Sequence, residues 1–160
     1  MLEKHTIHHH SIDKKAFLYL DLVDRIAEES YCVRLQVGSL IVKNDNIISF
    51  GYNGTAKGAL NTCEEKIDDE LVTLRTVIHS ESNSITKACK SPISTEGSTM
   101  YCTHSCCIDC AKLIIQSGIT RFIYKHDYRD TSGIEFLLES GIQVLKEDQE
   151  TKKLEILTKK

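Results

Sequence analysis

Cys107-Ile108-Asp109-Cys110-Ala111-Lys112-Leu113-Ile114-Ile115-Gln116-Ser117-Gly118 is the stretch that decides how this 160-residue chain folds. Two cysteines stand at C-x-x-C spacing where an apolar-periodic run begins, so the pattern predicts a helix from Ile108 to Ser117, stopped by Gly118. Residues three apart share a helical face, and the unpaired N–H groups of a helix start favour thiolates. Just upstream, Thr99-Met100-Tyr101-Cys102-Thr103 reads as a strand that delivers the chain to the pair. A C-x-x-C alone is more often a structural zinc knuckle or a redox pair.

A second stretch, His79-Ser80-Glu81, changes its meaning. His79, Cys107 and Cys110 supply three soft-to-borderline ligands, the set Zn²⁺ accepts when its fourth tetrahedral position is left for water. Glu81 need not bind the metal and is placed to take a proton from that water. The geometry works if each stretch begins a helix, because first-turn side chains splay toward a point beyond the helix end. A helix is therefore predicted from about His79 to Cys89, ended by Ser91-Pro92.

Working outward, Asp13 is read as the cap of an amphipathic helix through Glu28, with Phe17, Leu20, Val23, Ile26 and Ala27 at helical spacing. Val37 to Val42 and Asn46 to Phe50 are β-rich runs joined by Lys43-Asn44-Asp45, a hairpin. Thr55 to about Val77 loses periodicity and reads as a long loop with one short helical piece. Arg121 to Lys125 is a strand, Gly133 to Ser140 a helix ended by Gly141, and Ile142 to Leu145 a strand. Leu154 to Leu157 is a candidate small extra strand, and the last three residues read as solvated. Strands alternating with helices imply parallel pairing after the opening hairpin. The expected fold is α/β, a three-layer α/β/α arrangement around a five-stranded mixed sheet. Residues 1–12, with His8, His9 and His10, read as a flexible tail, and 13–160 as one domain.

A formal net charge of −3 argues against a surface built to hold nucleic acid. No apolar run approaches the ~18 residues of a membrane span, and the first residues lack a signal-peptide core, so a cytoplasmic protein with no membrane partner is expected. Of seven cysteines, Cys32, Cys63, Cys89, Cys102 and Cys106 show no paired framework and read as small buried hydrophobes in a reducing compartment. A structural zinc on Cys32 and Cys63 is disfavoured, since no His stands close enough to complete it.

These residues resemble the zinc-dependent cytidine deaminase superfamily, in which H-x-E is followed by P-C-x-x-C, and specifically the deoxycytidylate deaminases, over about Val37 to Leu145. The resemblance is carried by Val37-Gly38, Gly51-Tyr52-Asn53-Gly54-Thr55, Asn61-Thr62-Cys63-Glu64-Glu65, Arg75 to Ile85 and Cys107 to Ile119, and is strongest to phage-encoded members. Two departures stand out: Ser80 replaces the usual Ala, a change expected to point away from the metal, and Cys106 replaces the Pro before the pair. The register keeps Cys107 and Cys110 as ligands rather than Cys106.

The resemblance implies deamination of dCMP to dUMP and ammonia, with Glu81 catalytic and one Zn²⁺ on His79, Cys107 and Cys110. Substrate contacts are expected at Asn53, Ser105 and Tyr128, the last an aromatic just after the fourth strand. Tyr124, beside it, reads as core. The phosphate partner is left among Arg34, Lys57, Arg75 and Arg129. Regulation by dCTP (activating, with Mg²⁺) and dTTP (inhibiting) through Gly51, Tyr52 and Gly54, in a homo-hexamer, is likewise implied. Alternatives are a deaminase of dCTP or free cytidine, a tRNA adenosine-type deaminase, which the charge disfavours, and a non-catalytic zinc module.

Overall fold

The computed structural model describes residues 2–6 and 10–159. In chain order its elements are β1 (Leu2–Thr6), α1 (His10–Ala27), β2 (Gly38–Lys43), β3 (Asn46–Tyr52), β4 (Glu64–Ile67), β5 (Glu70–Thr73), α2 (Ser80–Ala88), β6 (Thr99–His104), α3 (Ile108–Gln116), β7 (Arg121–His126), α4 (Ser132–Glu139), β8 (Gln143–Glu147) and β9 (Leu154–Lys159). Seven strands form one sheet in the order β1-β9-β8-β7-β6-β2-β3, with β6, β7 and β8 parallel and the remaining pairings antiparallel.

Alternation along the central strands builds two cores. Met100, Cys102, Phe122, Tyr124 and Val144 face α2, α3 and α4, with Ile85, Ala111, Ile114, Ile134 and Leu137 packed on them. Tyr101, Ile123 and Leu145 point the other way, onto Ala16, Tyr19, Leu20 and Val23 of α1. This is the expected three-layer fold, and the strands buried on both faces read as nearly continuous apolar runs for that reason. The β2–β3 turn, Asn44-Asp45, has positive φ at both residues (48° and 61°), the geometry a two-residue hairpin demands.

The sheet differs from expectation at its far side. It has seven strands, not five, because β9 runs to Lys159 and β1 pairs with it in antiparallel register, Leu2 opposite Lys159 through Thr6 opposite Glu155. Residues 2–6, expected in a flexible tail, thus form the edge strand; they cover a β9 edge whose backbone groups would otherwise lack partners. Helix α1 begins at His10, so Asp13 falls inside its first turn instead of capping it. His8 and His9 lie outside the described residues, as does Lys160.

The region read as a loop is a second departure. Its central part is the hairpin β4–β5, turned by Asp68-Asp69 with positive φ at both (49° and 66°). Cys32 and Cys63, expected to be unpaired, form a disulfide that ties the base of this hairpin to the segment before β2. The tie is reinforced where Val33 N–H and Arg34 N–H donate to the Glu64 carboxylate (3.0 and 3.1 Å) and Arg34 Nη1 donates to Thr73 Oγ1 (2.9 Å). Among the described residues no helix is long and apolar enough to cross a membrane.

Candidate active site

The site lies at the carboxyl end of β6, where open α/β sheets place their ligands. Beyond His104 the chain passes through Ser105 and Cys106 to Cys107, the N-cap of α3 (φ −76°, ψ 169°). Opposite it, His79 is the N-cap of α2 (φ −68°, ψ 154°). An N-cap ordinarily carries Ser, Thr, Asp or Asn to bond the free N–H groups of the first turn. Here neither cap side chain makes such a bond. Both turn toward each other instead, giving up capping stability to bring three donors to one point.

His79 Nδ1 lies 3.5 Å from Cys107 Sγ and 3.5 Å from Cys110 Sγ, and the three donor atoms all fall within 4.8 Å of one another. A tetrahedral zinc with Zn–S of about 2.3 Å and Zn–N of about 2.0 Å holds N and S about 3.5 Å apart, so the spacing fits that ion. Between themselves the thiols divide one proton unevenly. A hydrogen bond from Cys110 draws Cys107 down to about 4, while Cys110, bonded to that thiolate and desolvated, is driven up. Cys106, adjacent in sequence, is fully buried with its thiol pushed up by burial, and lies outside the group that His79, Cys107 and Cys110 form.

Glu81 stands in the first turn of α2 and is buried. Desolvation raises its carboxyl above the ordinary range, the direction that lets an acid hold a proton near neutrality and give it up again. Ser80 Oγ donates to its Oε2 at 3.0 Å. The hydroxyl is thus aimed at the carboxylate, a contact the reading of Ser80 as a neutral replacement missed. Ser82 was also missed: its hydroxyl lies 3.6 Å from Cys110 Sγ. The available signal was its place three residues after His79, on the turn that faces the donors.

The expected substrate contacts are already engaged with the protein. Both ends of the Asn53 amide are taken up by backbone, its Oδ1 accepting from Val37 N–H and its Nδ2 donating to Leu35 O, both at 2.8 Å. Ser105 Oγ accepts from Tyr128 N–H (2.7 Å) and Ser105 N–H donates to His126 O (2.9 Å), so Ser105 and Tyr128 are joined directly. The Arg129 guanidinium sits 5.6 Å from the Tyr128 ring centroid, which ties one of the four candidate basic residues to this cluster. Tyr124 is core, as expected, with its hydroxyl donating to Asp127 Oδ1 at 3.0 Å.

The Gly51-to-Gly54 stretch braces α2. A Cβ on Gly51 would lie 2.5 Å from Ser80 O and 2.6 Å from Ser84 N, so only glycine lets the helix approach this closely. Gly54 exchanges two backbone hydrogen bonds with Ile78, the residue before His79 (3.1 and 2.8 Å). Tyr52 is half-buried, and its carbonyl accepts from Asn83 Nδ2 while Lys87 Nζ stands 5.2 Å from its ring centroid.

Comparison with known proteins places this geometry. The model of the cytidine and deoxycytidylate deaminase zinc-binding region matches residues 13–126. ComE operon protein 2 of Bacillus subtilis is 39% identical over 123 residues, covering 74% of this chain and 64% of its own length. The deoxycytidylate deaminase of Enterobacteria phage T4 is 31% identical over 170 residues, covering 81% of this chain and 88% of its own length. Among solved structures, the dCMP deaminase of cyanophage S-TIM5, in complex with dCMP and dUMP, superposes with a TM-score of 0.77 at 37% identity, over 87% of this chain and 99% of that one.

Proposed function

This chain belongs to the cytidine and deoxycytidylate deaminase family, and on that footing we propose that it removes the 4-amino group of dCMP by hydrolysis, releasing dUMP and ammonia. The observation that carries the reading is the His79 imidazole equidistant from two cysteine sulfurs with the buried Glu81 one turn-position away. The cyanophage protein that holds dCMP and dUMP supports the choice of nucleotide.

His79, Cys107 and Cys110 would hold the zinc, which would supply an activated water for attack on the pyrimidine. Glu81 takes one proton of the attacking water and gives it to ring N3 so that C4 becomes electrophilic, then takes the second from the hydroxyl newly bonded to C4 and passes it to the amine, which leaves as ammonia as the C4 carbonyl forms. Its burial makes this two-way traffic workable, because a carboxylic acid lifted above its ordinary range is both an adequate donor and an adequate acceptor. Tyr128 covers the base and Ser105 fixes the loop that carries it. Asn53 acts on the sugar through the segment it braces, and Arg129 is the phosphate partner we favour. The enzyme works in the cytoplasm as a homo-hexamer, and dCTP with Mg²⁺ and dTTP set its activity in opposite senses through Tyr52, Gly54 and the neighbouring Gly51.

The decisive experiment replaces Glu81 by Gln. E81Q keeps zinc at the parental stoichiometry while turnover of dCMP falls by several orders of magnitude; near-parental turnover removes Glu81 as the proton carrier. Assaying dCMP, dCTP, deoxycytidine and an RNA stem-loop side by side sorts the substrate. Zinc retained with no turnover of any of them leaves a zinc-binding module.

A further inference from the structure

We propose that Ser80 is a positioning residue for the reaction, fixing one carboxylate oxygen of Glu81 so that the other is presented to the pyrimidine. The proposal rests on the deaminase reading above.

Ser80 opens α2 between His79 and Glu81 and is completely buried, with 0% of its surface exposed. Its Oγ donates to Glu81 Oε2 at 3.0 Å, and on its other side Cys102 Sγ, rising from β6 beneath the helix, lies 3.8 Å away. A serine hydroxyl has one hydrogen and two lone pairs. With its hydrogen committed to the carboxylate, only the lone pairs face Cys102, so the thiol is the donor of that contact. The three groups therefore form one directed chain, from Cys102 through Ser80 to Glu81.

Direction matters because a glutamate has three side-chain torsions, and burial by itself does not select one carboxylate orientation. The nearby hydroxyls do something else: Ser84 Oγ donates to the main-chain oxygen of Glu81 (2.9 Å) and Ser49 Oγ to that of Ser84 (2.7 Å), which steadies the helix and leaves the carboxylate alone. Among the described residues, Ser80 is the one side chain hydrogen-bonded to that carboxylate. Its bond holds Oε2, beside the hydrogen bond that the carboxylate takes from the N–H of Glu81 itself, and in this assignment Oε1 is the oxygen that exchanges protons with the substrate. A proton carrier must sit within hydrogen-bond reach of its target, and a misplacement of an ångström costs a large factor in rate.

The test compares the zinc-loaded parent with S80A, and E81Q with S80A/E81Q. If Ser80 acts through the Glu81 carboxylate, S80A keeps zinc at the parental stoichiometry and KM within twofold, while kcat falls about 10- to 100-fold, the span of one hydrogen bond to a charged group. In the E81Q background the same change moves the residual rate by less than twofold, since the carboxylate it served is gone. A kcat for S80A within threefold of the parent overturns the proposal. So does loss of zinc, or an equal loss of rate in both backgrounds, either of which marks a general structural role. A parent that turns over no cytosine nucleotide overturns the deaminase reading and this assignment together; an active parent with an unaffected S80A overturns the assignment alone.

Discussion

Gly51→Ala tests whether the glycine-rich end of β3 acts by packing or by contacting an effector. The added methyl would lie 2.5 Å from Ser80 O, 2.6 Å from Ser84 N and 3.1 Å from Asn83 C, all main-chain atoms of α2 or its immediate turn. Ordinary contact between non-bonded heavy atoms lies near 3.5 Å, so the helix backbone must retreat by about 1 Å. The backbone of Gly51 itself lies outside the left-handed region, and alanine is strained there only by the clash. Overpacking of this size destabilises by about 1–3 kcal/mol, which in a domain of this length lowers Tm by roughly 3–10 °C. The retreat also shifts Glu81, on α2, relative to Cys107 and Cys110 at the start of α3. A displacement of about 1 Å at a catalytic group costs on the order of 100-fold in rate. Thermal melts by circular dichroism and steady-state kinetics on zinc-saturated protein read both effects. A Tm within about 1 °C of the parent and kcat within threefold refutes the packing argument; if, in addition, the response to dCTP or dTTP is lost, Gly51 serves the effector instead.

Two further outcomes follow from the sulfur chemistry. Cys107→Ser, which replaces a donor 3.5 Å from His79 Nδ1 by a poor zinc ligand, should lose most of its metal on dialysis against a mild chelator, with activity falling in proportion. Cys106→Ser should keep both within threefold, because its sulfur stands outside the donor group; atomic absorption and dCMP turnover measure the contrast. The Cys32–Cys63 disulfide closes 31 residues of chain, worth about 3–4 kcal/mol by loop entropy. Reduction should therefore lower Tm by about 10 °C, and Cys32→Ser should melt at the reduced temperature with or without dithiothreitol.

How far the sequence discloses the molecule depends on whether the signal was local. The Asn44-Asp45 turn is legible because it is flanked by Leu40-Ile41-Val42, which bury in the sheet, and by the β-branched pair Ile47-Ile48, of which Ile48 is half-buried and Ile47 exposed. The Asp68-Asp69 turn has the same pair of positive φ values but is flanked by Glu64-Glu65-Lys66 and Glu70, mostly exposed. Strand propensity reports fit to a half-buried surface, and a hairpin standing off the main sheet offers none. What holds it is the Cys32–Cys63 bond and the Glu64 carboxylate, neither visible from spacing. β1 hides for a related reason, since it exists only as a cover for the β9 edge at the other end of the chain.

The active site reverses that logic. Its candidate donors were legible because chemistry limits which side chains can meet zinc, so His79, Cys107 and Cys110 stand out whatever their surroundings. Glu81 was legible by its offset from His79. What stayed hidden is what supports them: Ser80 on the carboxylate, Ser82 against Cys110, Asn53 bracing Leu35 and Val37. A serine or an asparagine is chemically versatile, and its partner is fixed only when two distant segments pack. The consequence is physical as well as interpretive. His79 and Cys107 sit on helix caps that bond nothing in their own first turns, and Cys110 lies in the first turn of α3, so these supporting contacts, together with the glycine that lets α2 settle against β3, are what hold the candidate donors and Glu81 in one geometry. Variation at such positions should change rate while leaving the metal in place, whereas variation at the donors should remove both.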